Sequence, residues 1–136
     1  MRVYLAGPSQ LQNNIKLCRD GLEQMGVTVT SKWLDLVSLD HNILTGDESR
    51  RAAQNDLDDI AMADIVVVWS VPEWFNSGSG GRHVELGYAL GFGKPIILIG
   101  ARENVFRHHR LVHSCLPNTS DLRMELSKVY TYYYNQ

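Results

Sequence analysis

One charge stands out of place in this chain. The stretch Val84-Glu85-Leu86-Gly87-Tyr88-Ala89-Leu90-Gly91-Phe92 holds a single ionisable carboxyl in nine residues. A helix with no polar face is expected to be buried on most sides. A carboxylate there is costly unless it is paired or used. Two readings of Glu85 follow. It caps the helix or pairs with Arg82, as first-turn acids often do, or it is a catalytic carboxylate. A second acidic group lies upstream, in Asp56-Leu57-Asp58-Asp59-Ile60-Ala61-Met62-Ala63-Asp64. Helical spacing puts Asp56, Asp59 and Ile60 on one face and turns Asp58 elsewhere. Asp58 and Asp59 read as a solvated acidic face, and Asp64 as a cap on the turn before the next strand. Spacing alone does not single out Asp56. Two carboxyls can divide a glycosyl transfer between them, one as nucleophile and one as proton donor.

These residues need elements to hold them. Residues 3–6 form a short apolar run stopped by Gly7-Pro8. Leu11, Ile15, Cys18, Leu22 and Met25 then recur at spacings of four and three, one face of an amphipathic helix. Gly26 sits where its C-cap would. Residues 27–30 are read as a second strand, residues 31–45 as a loop, and the acids Asp47 and Glu48 as the start of a helix reaching Met62. Ile65-Val66-Val67-Val68-Trp69 is apolar throughout, as in a parallel strand covered on both faces. A loop over 71–81, a helix over 81–93 and a strand over 95–99 follow. Residues 101–118 are expected to be irregular. A last helix over 120–126, capped by Thr119 or Ser120, and a last strand over 129–134 complete the reading. Tyr132-Tyr133-Tyr134 is then an edge strand or part of a subunit contact.

Strands alternating with helices imply a parallel sheet with right-handed crossovers. The expected fold is α/β, a flavodoxin-like three-layer sandwich with a five-stranded parallel sheet in the order 2-1-3-4-5. Ligands bind such sheets at the carboxyl ends of the strands, near the switch point between strands one and three. The loops over 7–13 and 70–81 and the stretch after Gly100 should meet there.

At 136 residues, the chain suits a single domain spanning 1–136. Its 44% hydrophobic and 21% charged residues argue against disorder. A net charge of −2 offers no basic footprint for nucleic acid and no polybasic patch for a membrane. No apolar run is long enough to span a bilayer, and Met1-Arg2-Val3-Tyr4-Leu5 opens like a buried strand rather than a signal peptide. Cys18 and Cys115 match no metal or redox spacing, so a cytoplasmic setting is expected. Gly78-Ser79-Gly80-Gly81 lacks the third glycine of a dinucleotide fingerprint, and Gly93-Lys94-Pro95 lacks the hydroxyl residue of a P-loop. His83-Val84-Glu85 is followed by no Pro-Cys-x-x-Cys, which sets aside a zinc deaminase. His109 and His113 read as surface residues rather than metal ligands. Trp69 reads as core, whereas Trp74, in the ligand-edge loop, is a candidate for stacking on a nucleobase.

Three segments in order carry a family likeness. Tyr4-Leu5-Ala6-Gly7-Pro8, Asn55-Asp56-Leu57 with Ala63-Asp64 behind it, and Val84-Glu85-Leu86-Gly87-Tyr88-Ala89 together resemble the nucleoside 2-deoxyribosyltransferase family. The resemblance runs from Tyr4 to about Phe106, and its Glu-Leu-Gly-Tyr-Ala run is the most specific part. The same superfamily includes the 2′-deoxynucleoside 5′-monophosphate N-hydrolases. The resemblance implies that Glu85 is the nucleophile toward C1′ of deoxyribose and that the Tyr4 hydroxyl orients it. It implies that Asp56 meets the base and helps protonate it. Asn104 resembles an asparagine lent by a neighbouring subunit to the sugar's 5′ end.

The 5′ recognition is mixed. Six residues before the nucleophile the transferases tend to carry an aspartate, and here the residue is Ser79. A serine there is similar to the hydrolases, where it contacts phosphate. Ser77, Ser79 and Gly81, with Gly7 from the first loop, would then line the substrate, and glycines and hydroxyls before a helix N-terminus suit an anion. Arg82 could assist. Against this, the first loop has Gln10 where the hydrolases tend to have arginine, and Asn104 leans toward the transferases.

The expected substrate is a small nucleoside or nucleotide, with transfer to another base, hydrolysis of a 5′-monophosphate as the alternative, and a non-catalytic nucleotide sensor as a third reading. The chemistry requires no cofactor and no metal. A chain this short has little with which to enclose a nucleoside. With helix three apolar all round, that leads to the expectation of a homodimer or higher homo-oligomer with shared sites.

Overall fold

The computed structural model describes residues 1–37, 45–71 and 80–135. Five strands, β1 (Arg2–Ala6), β2 (Thr28–Val29), β3 (Ile65–Trp69), β4 (Ile96–Ile99) and β5 (Val112–Leu116), form one sheet in the order β2-β1-β3-β4-β5. Every pairing is parallel. Apart from Arg2, the residues of the three central strands are buried, as expected for strands sandwiched between helices. Helices α2 (Gly46–Met62) and α3 (Gly81–Gly91) pack together on one face of the sheet. Helices α1 (Gln12–Gln24) and α4 (Leu122–Tyr134) border a common groove on the other.

Side chains complete β1 where the two-residue β2 stops. Leu5 N donates to Ser31 Oγ at 2.6 Å, and Trp33 Nε1 donates to Leu5 O at 2.8 Å. No buried backbone group of Leu5 is left open on that edge, which would be costly. β1 therefore holds its last residues, Tyr4 among them, in a fixed place. At the end of β1, Gly7 allows close packing: a Cβ there would lie 2.5 Å from Ile15 Cδ1. Thr45 caps α2 by accepting from Glu48 N, the expected role of a hydroxyl before a helix.

Two expectations about the C-terminal third are corrected. Residues 112–116, expected to be irregular, form the fifth strand. Its Val-His-Ser-Cys-Leu sequence is half exposed at the sheet edge, so it lacks the apolar signature of the central strands. Residues 129–134, expected as a strand, are the end of α4. Leu122, Leu126 and Val129 are buried along one side of it, a spacing of four and three that is helical. The tyrosine run belongs to this helix and not to an edge strand. Asp121, rather than Thr119 or Ser120, precedes the helix, and its side chain makes no capping bond.

Helix α3 also departs from its reading. Arg82, Leu86 and Ala89 are its buried residues, while Val84 is 66% and the adjoining Phe92 55% exposed. An apolar side of α3 thus lies open in the single chain. No helix among the described residues is long and apolar enough to cross a membrane.

Candidate active site

The carboxyl end of β1 and the facing sides of α2 and α3 bring three ionisable groups together. Tyr4, fully buried on β1, is influenced by both Glu85 of α3 and Asp56 of α2. Glu85 lies one turn inside α3. As a residue it is half-buried, but its Oε2 atom is sealed from solvent. The Tyr4 hydroxyl lies against the Glu85 carboxyl. Even so, among the described residues neither Tyr4 Oη nor Glu85 Oε2 has a hydrogen-bond partner of ordinary geometry. Two buried, unsatisfied polar atoms on neighbouring elements are rare in a native core.

Electrostatics set this cluster apart. Burial pushes the Glu85 carboxyl up to about 8; the Tyr4 hydroxyl opposes that rise, and the Asp56 charge adds to it. Burial, followed by the charge of Asp59, raises Asp56 to about 6. Tyr4 is held well above the usual phenol range by burial and then by the charges of Glu85 and Asp56. Carboxyls displaced toward neutral pH can donate and accept protons in that range, as catalytic acids and bases do.

The cluster lies at the sheet edge where the strand order reverses, between β1 and β3. A family model described as Nucleoside 2-deoxyribosyltransferase matches residues 3–126. The chain belongs to the nucleoside 2-deoxyribosyltransferase family.

Solved structures of the same fold agree. A 2-deoxyribosyltransferase from Bacillus psychrosaccharolyticus is 23% identical, with a TM-score of 0.70 and 90% of each chain covered. The CMP N-glycosidase BcmB of Clostridium botulinum is 21% identical, with a TM-score of 0.60 and coverage of 94% of this chain and 99% of that one. A conserved protein from Enterococcus faecalis V583 is 17% identical, with a TM-score of 0.62 and coverage of 94% and 98%. At these identities the likeness establishes the fold alone. A search of curated proteins finds no match.

The other described candidate residues lie at the end of β1, the start of α3 and the segment after β4. Gly81 opens α3, and a Cβ built on it would lie 3.9 Å from Glu85 Oε1. That is ordinary contact distance, so Gly81 lies beside the carboxyl. Gly7 lies at the end of β1, against α1. Trp74, Ser77 and Ser79 fall outside the described residues. Asn104 follows β4 and caps a 3-10 turn at Val105–His108 through a bond from Phe106 N. Its Nδ2 lies 3.5 Å from His83 Nδ1.

Arg82 is not the partner of Glu85. Its guanidinium instead holds Glu103, with Nη2 2.7 Å from Oε2 and Nε 3.2 Å from Oε1. Val71 N donates to the same carboxylate at 3.2 Å, and Arg107 Nη2 lies 3.6 Å away. Burial works against the ionised Glu103, but the bonds from Arg82 and Val71 and the charge of Arg107 outweigh it and hold its carboxyl below the usual range. Burial and the two guanidinium groups keep His83 below its usual range, with Glu103 opposing them. This network joins the end of β3, the start of α3 and the segment bearing Asn104. Its core member, Arg107, is fully buried, and its Nε and Nη1 have no partner among the described residues. Nothing in the sequence near Arg107 signals this burial.

Asp59 is a further correction. Expected on a solvated face, it is fully buried. Its Oδ2 accepts from Lys32 N at 3.1 Å, and its Oδ1 is ion-paired with Lys32 Nζ. Sharing a face with the buried Ile60 was the available signal. Asp58 is exposed as expected and accepts from Gln54. Asp64 binds Arg2 N at 2.8 Å rather than capping its own turn. Trp69 is buried, as read. His113 is on β5, and His109 lies in the turn before it, bonded by Leu111 N. Among the described residues no group of three or more His, Cys, Asp or Glu could hold a metal ion.

Proposed function

We propose that this protein cleaves the N-glycosidic bond of 2′-deoxynucleosides and transfers the deoxyribosyl group to another nucleobase. The observation that carries this reading is the buried Glu85 carboxyl, set against Tyr4 and Asp56 with an unsatisfied oxygen. Ionised Glu85 attacks C1′ as the bond to the base nitrogen breaks. The proton on Asp56 passes to the departing base, leaving Asp56 ionised. An acceptor base then attacks C1′, its N–H proton goes to Asp56, and Glu85 is released as carboxylate. Two displacements at one carbon retain the configuration. Tyr4 orients the nucleophile through its hydroxyl.

A second reading keeps Glu85 and Asp56 but makes water the acceptor and a 5′-monophosphate the substrate. Two guanidinium groups, Arg82 and Arg107, stand against one carboxylate, Glu103, around the start of α3. That excess positive charge suits an anion. Incubation with deoxynucleosides and with deoxynucleotides, each with and without a free base, separates the two. Exchange of bases supports transfer. Free deoxyribose or its 5-phosphate supports hydrolysis, and no cleavage of any substrate overturns both.

The open apolar side of α3 and the exposed Val105 and Phe106 support assembly with a second copy. A cavity of about 280 Å³ between them is lined by His83, Leu86, Gly87, Asn104 and Phe106. In this reading Asn104 completes the site of the neighbouring subunit.

A further inference from the structure

We propose that the ion pair between the buried Asp59 and the solvent-facing Lys32 is a positioning element of this site, fixing a negative charge one helical turn from Asp56 and so biasing which site carboxyl carries the proton. The proposal rests on the reading of Glu85 as nucleophile and Asp56 as acid.

The geometry is specific. Asp59 is sealed in the α2 face that turns toward the sheet. Both of its carboxylate oxygens are taken by Lys32, one through the backbone N–H and one through Nζ. Thr30 Oγ1 donates to Asp59 O at 2.9 Å and anchors the same turn of α2. The Lys32 ammonium and backbone N–H together give this buried carboxylate the partners that a buried charge requires. Lys32 keeps its side chain 63% exposed, so water screens its positive charge more than the buried negative one. The field reaching Asp56 is therefore net negative.

Other groups around Asp56 are accounted for. Tyr4 from β1 and Glu85 from α3 are the titratable groups that interact with it. On the neighbouring elements, Arg82 is bound to Glu103 and Asp35 to Arg19. On α2 itself, Asp58 is exposed and bonded by Gln54. Among the described residues, Asp59 is thus the fixed charge acting on Asp56.

The consequence is a proton distribution. With Glu85 near 8 and Asp56 near 6, a single shared proton resides mostly on Glu85. The productive form, Glu85 ionised and Asp56 protonated, is then the minor one, and the negative charge of Asp59 favours it by raising Asp56. Each unit by which Asp56 fell would cut that form about tenfold.

The test follows the Asp56 carboxyl by ¹³C NMR titration of the ligand-free protein, beside the pH profile of turnover. In Asp59→Asn the Asp56 midpoint is expected to fall toward the ordinary carboxylate range, with kcat/KM falling by the matching factor and the acidic limb moving to lower pH. Lys32→Arg keeps the pair and should leave both readouts near wild type. Should Asp59→Asn not fold, the double variant Asp59→Asn/Lys32→Met removes both charges and serves in its place. An Asp56 midpoint that does not move overturns the proposal, whatever happens to activity. Absence of glycosidic activity in the wild type would defeat the functional reading instead, while leaving the titration interpretable.

Discussion

Tyr4 Oη and the Glu85 carboxyl meet where β1 passes beneath α3, and among the described residues neither Tyr4 Oη nor Glu85 Oε2 completes a hydrogen bond of ordinary geometry. The hydroxyl opposes the upward pull of burial on Glu85, so it favours the ionised nucleophile. Tyr4→Phe should cost about ten- to a hundredfold in kcat/KM, the worth of the one hydrogen bond to a charged group that the pair completes when substrate tightens the site. The Glu85 midpoint should rise in the same variant. Steady-state kinetics and a carboxyl titration check the two together, and an unchanged rate would remove Tyr4 from the mechanism.

Replacing the nucleophile separates function from stability. Glu85→Gln should lower turnover at least about a thousandfold. Its effect on folding depends on pH, with a definite sign. The folded Glu85 binds its proton up to about 8, whereas the unfolded chain releases it near the ordinary glutamate value. Wild-type stability is therefore favoured below that value and is lost as pH rises toward 8, by an amount on the order of a few kcal/mol. Glu85→Gln lacks this loss. Urea unfolding at pH 5 and pH 9 should show the variant gaining on the wild type at the higher pH. A constant difference would contradict the burial of this carboxyl.

The pH dependence of catalysis should be bell-shaped. The pair Asp56 and Glu85 holds one proton between midpoints of about 6 and about 8. Turnover should peak between them and fall on both sides, since both the doubly protonated and the doubly ionised pair are inactive. A profile of kcat/KM from pH 4 to pH 10 checks this. A flat profile across that window would exclude the paired carboxyls.

Assembly can be tested by complementation. Glu85→Ala and Asn104→Ala should each be nearly inactive alone. Mixed after dissociation and reassociation, they should recover part of the activity, because a mixed assembly has one site with both residues intact. Phe106→Glu places a charge on the exposed apolar surface beside the cavity and should shift sedimentation toward monomers with loss of activity. A fully active monomer at high dilution would contradict a shared site.

Glu103 tests the network under α3. Glu103→Gln leaves Arg82 and the buried Arg107 without their shared charge, and breaking such a pair should cost about 3 kcal/mol or more. Thermal unfolding measures the loss. A change below about 0.5 kcal/mol would mean that the network contributes little to stability.

Much of this protein was legible before any coordinates. Ile65-Val66-Val67-Val68-Trp69 announced a central strand because a parallel strand is covered on both faces. The order of strands and helices led to the sheet topology, and the lone Glu85 in an apolar helix pointed to the candidate site proposed above. β5 and the end of α4 were not legible, because an edge strand tolerates polar residues and tyrosines suit either state. The excess apolar surface of α3 was legible in its residue types, but which of its sides meets the sheet and which stays open was decided by packing.

Residue types and their periodicity by themselves determined the α/β architecture, its topology and the family likeness, since these follow from alternating hydrophobic runs and local motifs. Only the tertiary structure decided which charges meet. Asp59 and Lys32 are 27 residues apart, and Glu103 and Arg82 are 21 apart. Their pairing arises from packing α2 and α3 against the loops at the sheet edge. Burial in that packing also lifts Glu85 and Asp56 from their ordinary ranges. The magnitude of that effect depends on how completely water is excluded, which follows from three-dimensional packing and not from residue order.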